Sequence, residues 1–210
     1  MNANAVFAFV LALAAILACL IAHRARGAVR GYLRFAAILY LALAIAQILA
    51  AFFPAPQTIG VVVSAIDLVS ALAPVCLALS IFSVFEHPPP GWLAAIVLLL
   101  GGIGGLFASV TAVPSVAFAV LFASVCAMLT LSIRRLRKEW RSALDTILAS
   151  VCLIAGAACS VTEGEVGRIA LALFSAAGLL GIALGVSRRS NAIVKTDGGR
   201  DDMASIALRR

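Results

Sequence analysis

A carboxylate inside an apolar stretch is the group in this sequence most able to do chemistry. In VVVSAIDLVSALAP, residues 61–74, Asp67 has two helical turns of mostly aliphatic residues on either side, relieved by Ser64 and Ser70. On a helix, Ser64, Asp67, Ser70 and Ala71 share a face by their three- and four-residue offsets. An ionised Asp at the centre of a membrane helix costs about 2.5–3.5 kcal/mol, so it is expected to face protein or water and not lipid. Such a group can hold a ligand or ion, relay protons, or lock two helices together by pairing with an amide. Gln47, near the end of the preceding apolar stretch, offers that amide at similar depth on an antiparallel neighbour. Ser160, Thr162 and Ser175 fall toward the same side of the last two stretches. Gln47, Ser64, Asp67, Ser70, Ser160, Thr162 and Ser175 thus outline a candidate polar pocket open to one membrane face.

The remaining reactive types offer less. Ser142-Ala143-Leu144-Asp145 has the S-x-x-D spacing of a helix start resembling a capping box, and Arg141 lies one turn from Asp145, which points to a structural role. The cysteines Cys19, Cys76, Cys126, Cys152 and Cys159 all lie in apolar runs with no C-x-x-C and no nearby His, as expected of packing residues. His23 and His87 lie far apart at stretch ends, so no intramembrane His pair is available for haem. The spans lack a base beside a nucleophile. No catalytic, cofactor or metal set is expected.

The elements that must position these groups are membrane helices. The chain has 210 residues, of which 64% are hydrophobic and only 12% charged, with a mean hydropathy of +1.14. A soluble domain carries about twice that charge. Seven apolar stretches each approach the ~20 residues that cross a hydrocarbon core: 5–22, 35–53, 59–85, 92–110, 115–133, 143–161 and 169–186. The third is too long for an upright span and is expected to tilt, to project inward or to bend at Pro74. The reading is an all-α integral membrane protein, a seven-helix transmembrane bundle over 1–187 with a basic tail over 188–210 that is expected to be disordered.

Charge sets the orientation. With the N-terminus outside, Arg24, Arg26, Arg30 and Arg34, the cluster Arg134, Arg135, Arg137, Lys138 and Arg141, and the tail's Arg188, Arg189, Lys195, Arg200, Arg209 and Arg210 all fall in the cytoplasm. Only Arg168 stays outside. An Ile16-Leu17-Ala18-Cys19 sequence resembles a lipoprotein cleavage site, but four Arg follow the apolar run and none precedes it, the reverse of a signal peptide. The net charge of +7 sits in short clusters without interleaved aromatics, which argues against nucleic acid. Arg134, Arg135, Arg137, Lys138 and Arg141 instead form a candidate contact with anionic cytoplasmic headgroups or a protein partner.

Small residues four apart, Gly101 and Gly105, then Cys152, Gly156 and Ser160, then Ala177, Gly181 and Gly185, form helix faces suited to close packing. They would serve either the bundle itself or a homodimer. Seven spans with an outer N-terminus invite comparison with microbial rhodopsins, but the seventh stretch, RIALALFSAAGLLGIALGV, has no lysine to carry retinal. In architecture the bundle resembles the multi-span sensor modules that precede bacterial kinases or cyclases, with no residue carried over. The expected function is a non-catalytic sensor, regulatory subunit or assembly partner. The alternative is a small-solute or ion permease acting through Gln47 and Asp67. The Ala- and Arg-rich usage suggests a GC-rich bacterial genome, hence a bacterial inner (plasma) membrane.

Overall fold

Helix starts and stops follow from glycine and proline placed between long apolar runs, as a computed structural model of the chain shows. It describes residues 3–25, 27–52, 56–86, 89–111, 115–137, 140–159 and 165–207. These residues form seven α-helices and no strand: α1 Ala3–His23, α2 Gly27–Phe52, α3 Pro56–Phe85, α4 Gly91–Thr111, α5 Ser115–Arg135, α6 Trp140–Cys159 and α7 Glu165–Ala207. Between α1 and α2 the chain tightens, with Arg24 N donating to Ile21 O at 3.0 Å and Ala25 N to Ala22 O at 3.1 Å. Gly27 then opens α2 at φ 62°, a left-handed conformation that glycine adopts without a Cβ penalty. Arg30 Nε donates to Ala25 O at 2.8 Å and satisfies a carbonyl of that turn. At the start of α4 the carbonyl of Pro90 accepts from Leu93 N at 2.9 Å and Ala94 N at 3.2 Å.

The third helix absorbs its proline. Pro74 lies inside a continuous 30-residue α3 and is fully buried. It has no N–H for the carbonyl of Ser70, four residues earlier, so α3 is one hydrogen bond short at that turn.

Six helices close into a ring. α1 packs on α2 and α7, α2 on α3, α3 on α5, α5 on α6, and α6 on α7. α3 also touches α7 across the ring, and α4 lies outside it against α3 and α5. The interior is apolar and rich in small residues. Leu11, Leu33, Leu77, Ile81, Met128, Leu179 and Ile182 are fully buried, among Ala8, Ala15, Ala18, Ala36, Ala37 and Ala44. The outside is apolar as well: Phe9, Leu20, Leu99, Leu100 and Phe122 are each more than 60% exposed. A surface of this kind is stable against hydrocarbon and not against water.

Glycines set the tightest contacts. A Cβ on Gly105 of α4 would stand 2.9 Å from Leu68 Cα on α3, and one on Gly101 would stand 3.2 Å from Val75 Cγ2. At the seam between α6 and α7, a Cβ on Gly181 would stand 2.8 Å from Ala149 Cβ, and one on Gly185 would stand 3.0 Å from Thr146 Cγ2. At Gly105 and Gly181 the helices approach too closely for a Cβ to enter without a shift, and at Gly101 and Gly185 the fit is tight, as expected where water release gives little drive and dispersion must hold helices together.

Among the described residues, four helices hold stretches long and apolar enough to cross a membrane: Ala5–His23, Gly27–Leu49, Asp67–Phe85 and Ile169–Ser190. The lengths of the apolar stretches in the sequence predict seven. α5 ends in Arg134 and Arg135, and α6 opens with Arg141, Ser142, Asp145 and Thr146. In the tail, α7 runs on as helix to Ala207. Extension from a helix already held by the bundle needs no new nucleus, which is the costly step for a free ten-residue segment.

Candidate functional site

Polar groups gather at two ends of the bundle, and the two ends differ in kind. The charged end can be traced through its contacts. Arg34 Nη2 lies 2.6 Å from His23 Nδ1, tying the start of α2 to the end of α1. Arg135 Nη2 pairs with Glu86 Oε1 at 3.2 Å, tying the end of α5 to the residue that follows α3. Arg188 Nη1 pairs with Asp145 Oδ2 at 2.5 Å, tying α7 to the first turns of α6. Three arginine clamps, one for each of three helix pairs, therefore fasten the same end of the ring.

Just inside this end lies a buried hydroxyl cluster. Thr146 Oγ1 donates to Ser132 Oγ at 2.8 Å, bridging α6 and α5 with both residues fully buried. Ser150 Oγ donates to Thr146 O at 2.8 Å. On α3, outside this set of bonds, the buried Ser80 Oγ likewise donates to Leu77 O at 2.7 Å. Bonding back to a carbonyl three or four residues earlier is how hydroxyls are satisfied within an apolar helix. In the sequence this cluster is inconspicuous, because its hydroxyls carry no charge and the bridge joins separate helices. The S/T-rich run from Ser142 to Ser150 was the available signal.

Asp145 illustrates a correction. Its expected role was to close a capping box with Ser142, but α6 begins at Trp140, so Ser142 already lies within the helix. The carboxylate instead reaches across to Arg188, 43 residues away. That partner follows from tertiary packing, which no local spacing encodes.

The other end holds Asp67. Its side chain is half-buried on α3, and no hydrogen bond or ion pair joins it to any described residue, Gln47 included. Gly105 of α4 packs beside it, where an added Cβ would stand 3.3 Å from the Asp67 carbonyl oxygen. Gln47 is half-buried on α2, and Ser64, one turn before Asp67, is exposed. Ser175 is half-buried on α7 against Gly156 of α6, its Oγ 3.4 Å from where a Cβ there would stand. Ser70 lies within α3, but its side chain is outside the described set, and Ser160 and Thr162 are outside the described residues altogether. Of the expected polar pocket, then, Asp67 and Ser64 share one helix, while Gln47 and Ser175 lie on two others.

Of the expected basic contact, Arg134, Arg137 and Arg141 are exposed and Arg135 is drawn to Glu86. Lys138 lies outside the described residues. Arg141 stacks over the Trp140 ring with its guanidinium carbon 5.4 Å from the ring centroid. All five cysteines are free thiols, only Cys76 of them buried.

The all-helical fold and its apolar exterior define a membrane protein of the helical class. No family model, curated protein or solved structure matches the chain.

Proposed function

We propose that the chain is a seven-span protein of a bacterial inner membrane, with its N-terminus outside and its C-terminus in the cytoplasm. In this reading it acts without catalysis, as a sensor, regulatory subunit or assembly partner. The clustering of every described arginine clamp at one end supports the orientation, because cationic ends stay on the cytoplasmic side. Helices α4, α5 and α6 have 21, 21 and 20 residues, about 30 Å each at 1.5 Å per residue, which matches a hydrocarbon core.

The observation that favours this reading over a permease is the filled interior. Leu77, Ile81, Leu179 and Ile182 meet inside the ring where a permeation path would need water or polar lining. Output in this reading runs through α7, which continues past Ser190 for roughly 26 Å at the helical rise. Its Arg188 clamp and glycine-packed seam move it together with α6. A partner or second copy would dock elsewhere than on the glycine rows, which are occupied within the chain.

Asp67 supports the second reading, a small-solute or ion permease. Counted from Phe85 beside the charged end, Asp67 lies about 27 Å along α3. In a core ~30 Å thick that is close to the outer boundary, where a half-buried carboxylate meets headgroups or water at little cost. An outward-facing acid without a described partner is suited to capture a cation or a cationic solute. Purification in mild detergent separates the two. A stoichiometric partner that co-purifies with the tagged chain is expected from the first. Isolation alone, with liposome flux abolished by Asp67→Asn, would transfer the assignment to the second.

A further inference from the structure

We propose that Arg134, Arg137 and Arg141, with Trp140 beside them, bind the phosphate of an anionic lipid headgroup at the turn between α5 and α6. The inference rests on the membrane reading above and adds a ligand class to one site. At the turn between α1 and α2, Arg30 and Arg34 are committed to Ala25 O and His23. Among the described residues at the turn between α5 and α6, only Arg135 is committed, to Glu86. Arg134, Arg137 and Arg141 point outward, and no hydrogen bond or ion pair joins them to any described residue. Each guanidinium offers five donors in a planar fork that matches phosphate oxygens.

The three lie within reach of one ligand. Arg134 and Arg137 are separated by at most ~11 Å of chain. Arg137 and Arg141 are separated by at most ~14 Å of chain. Stacking on Trp140 fixes the Arg141 plane and leaves its edge N–H groups free. The turn also meets the N-terminal end of α6, where the helix dipole favours an anion.

Apolar surface beneath the arginines selects a lipid over soluble phosphate. Ile133, Leu144, Leu148 and Val151 are 58%, 40%, 57% and 52% exposed, directly below the turn on α5 and α6. Acyl chains cover such a strip while the headgroup meets the arginines, and Trp140, 60% exposed, sits where indoles mark the interface.

The chain has two tryptophans, so Trp92→Phe leaves Trp140 as its sole indole reporter. The full chain is reconstituted in phosphatidylcholine vesicles containing brominated phosphatidylglycerol or brominated phosphatidylcholine, and quenching of Trp140 is read. Each arginine is worth about fivefold in attraction to an anionic surface. The expected result is quenching by the anionic lipid at a mole fraction ~10-fold lower or less, with the preference removed by combined Arg134→Gln, Arg137→Gln and Arg141→Gln. Arg24→Gln, at the other turn, is expected to leave the preference intact. Equal quenching by both lipids, or a preference that survives the triple change or falls as much with Arg24→Gln, would overturn the site while leaving the membrane reading standing. Displacement by millimolar inorganic phosphate would reassign it to a soluble anion and overturn the lipid. Absence of quenching by either lipid would overturn the site and the membrane reading together. Circular dichroism and gel filtration of the triple variant establish that it folds.

Discussion

Asp145 and Asp67 are the same residue on two apolar helices, and their surroundings diverge. Asp145 sits near the start of α6 and is held by Arg188 from α7, above a seam where Gly181 and Gly185 bring two backbones together. Asp67 sits toward the opposite end on α3, beside Gly105, with no hydrogen bond or ion pair to any described residue. Both carboxylates are therefore set next to a glycine-made close approach, yet only one is offered a cation. Close packing alone does not make an acid structural. What makes Asp145 structural is a partner on a neighbouring helix, and what leaves Asp67 available is the lack of one.

The comparison can be broken most forcefully at the glycine seams. Gly181→Leu is expected to lose about 3 kcal/mol or more, because its Cβ would meet Ala149 Cβ at 2.8 Å and neither atom can rotate away. Unfolding in mixed detergent micelles, followed by circular dichroism, checks this. Gly31→Ala, with nothing within 4 Å, is the control and should be neutral or slightly stabilising. A seam that tolerated leucine as well as Gly31 tolerates alanine would show that α6 and α7 are not packed as described.

Smaller effects sharpen the contrast. Thr146→Val removes the hydroxyl bridge to Ser132 and should cost about 0.6 kcal/mol, with an upper end near ~1.7 kcal/mol. The Arg188–Asp145 clamp is largely solvent-accessible, with Arg188 62% exposed. A double-mutant cycle with Arg188→Gln and Asp145→Asn should therefore give a coupling of only ~0.5 kcal/mol. Asp67→Asn should change stability least, by less than ~0.5 kcal/mol, because it breaks no described bond. A loss of several kcal/mol at Asp67 in the same unfolding assay would mean the carboxylate has a structural partner, and the contrast with Asp145 would fall.

Much of the architecture was legible in the sequence, because apolar runs of membrane length admit few alternatives to helix. The close-packing glycines were legible too, but only in part. Gly101 and Gly105 meet α3 as their spacing suggested, and Gly181 and Gly185 meet α6. Ala177, the expected third member, is exposed, and Gly178 takes its place. Steps of four residues overshoot a 3.6-residue turn, so a face is followed by alternating threes and fours, as 178, 181 and 185 do. Helix boundaries were less legible. α2 starts at Gly27, well before the apolar run at Phe35, because arginines such as Arg30 and Arg34 are good helix formers even where they are poor membrane residues. The clamps Glu86–Arg135 and Asp145–Arg188 could not be read at all, since each joins residues that only the closed ring brings together.

The most direct test of the account concerns which side of the membrane each end occupies. Single cysteines placed in a cysteine-free background at positions 25, 87, 137 and 191, and at 54, 113 and 162, can be labelled in intact cells with a membrane-impermeant maleimide. The account predicts that the second group reacts from outside and the first group only after the cells are opened. Labelling of position 25 and position 191 from opposite sides would contradict it, because the arginine clamps would then no longer share one end.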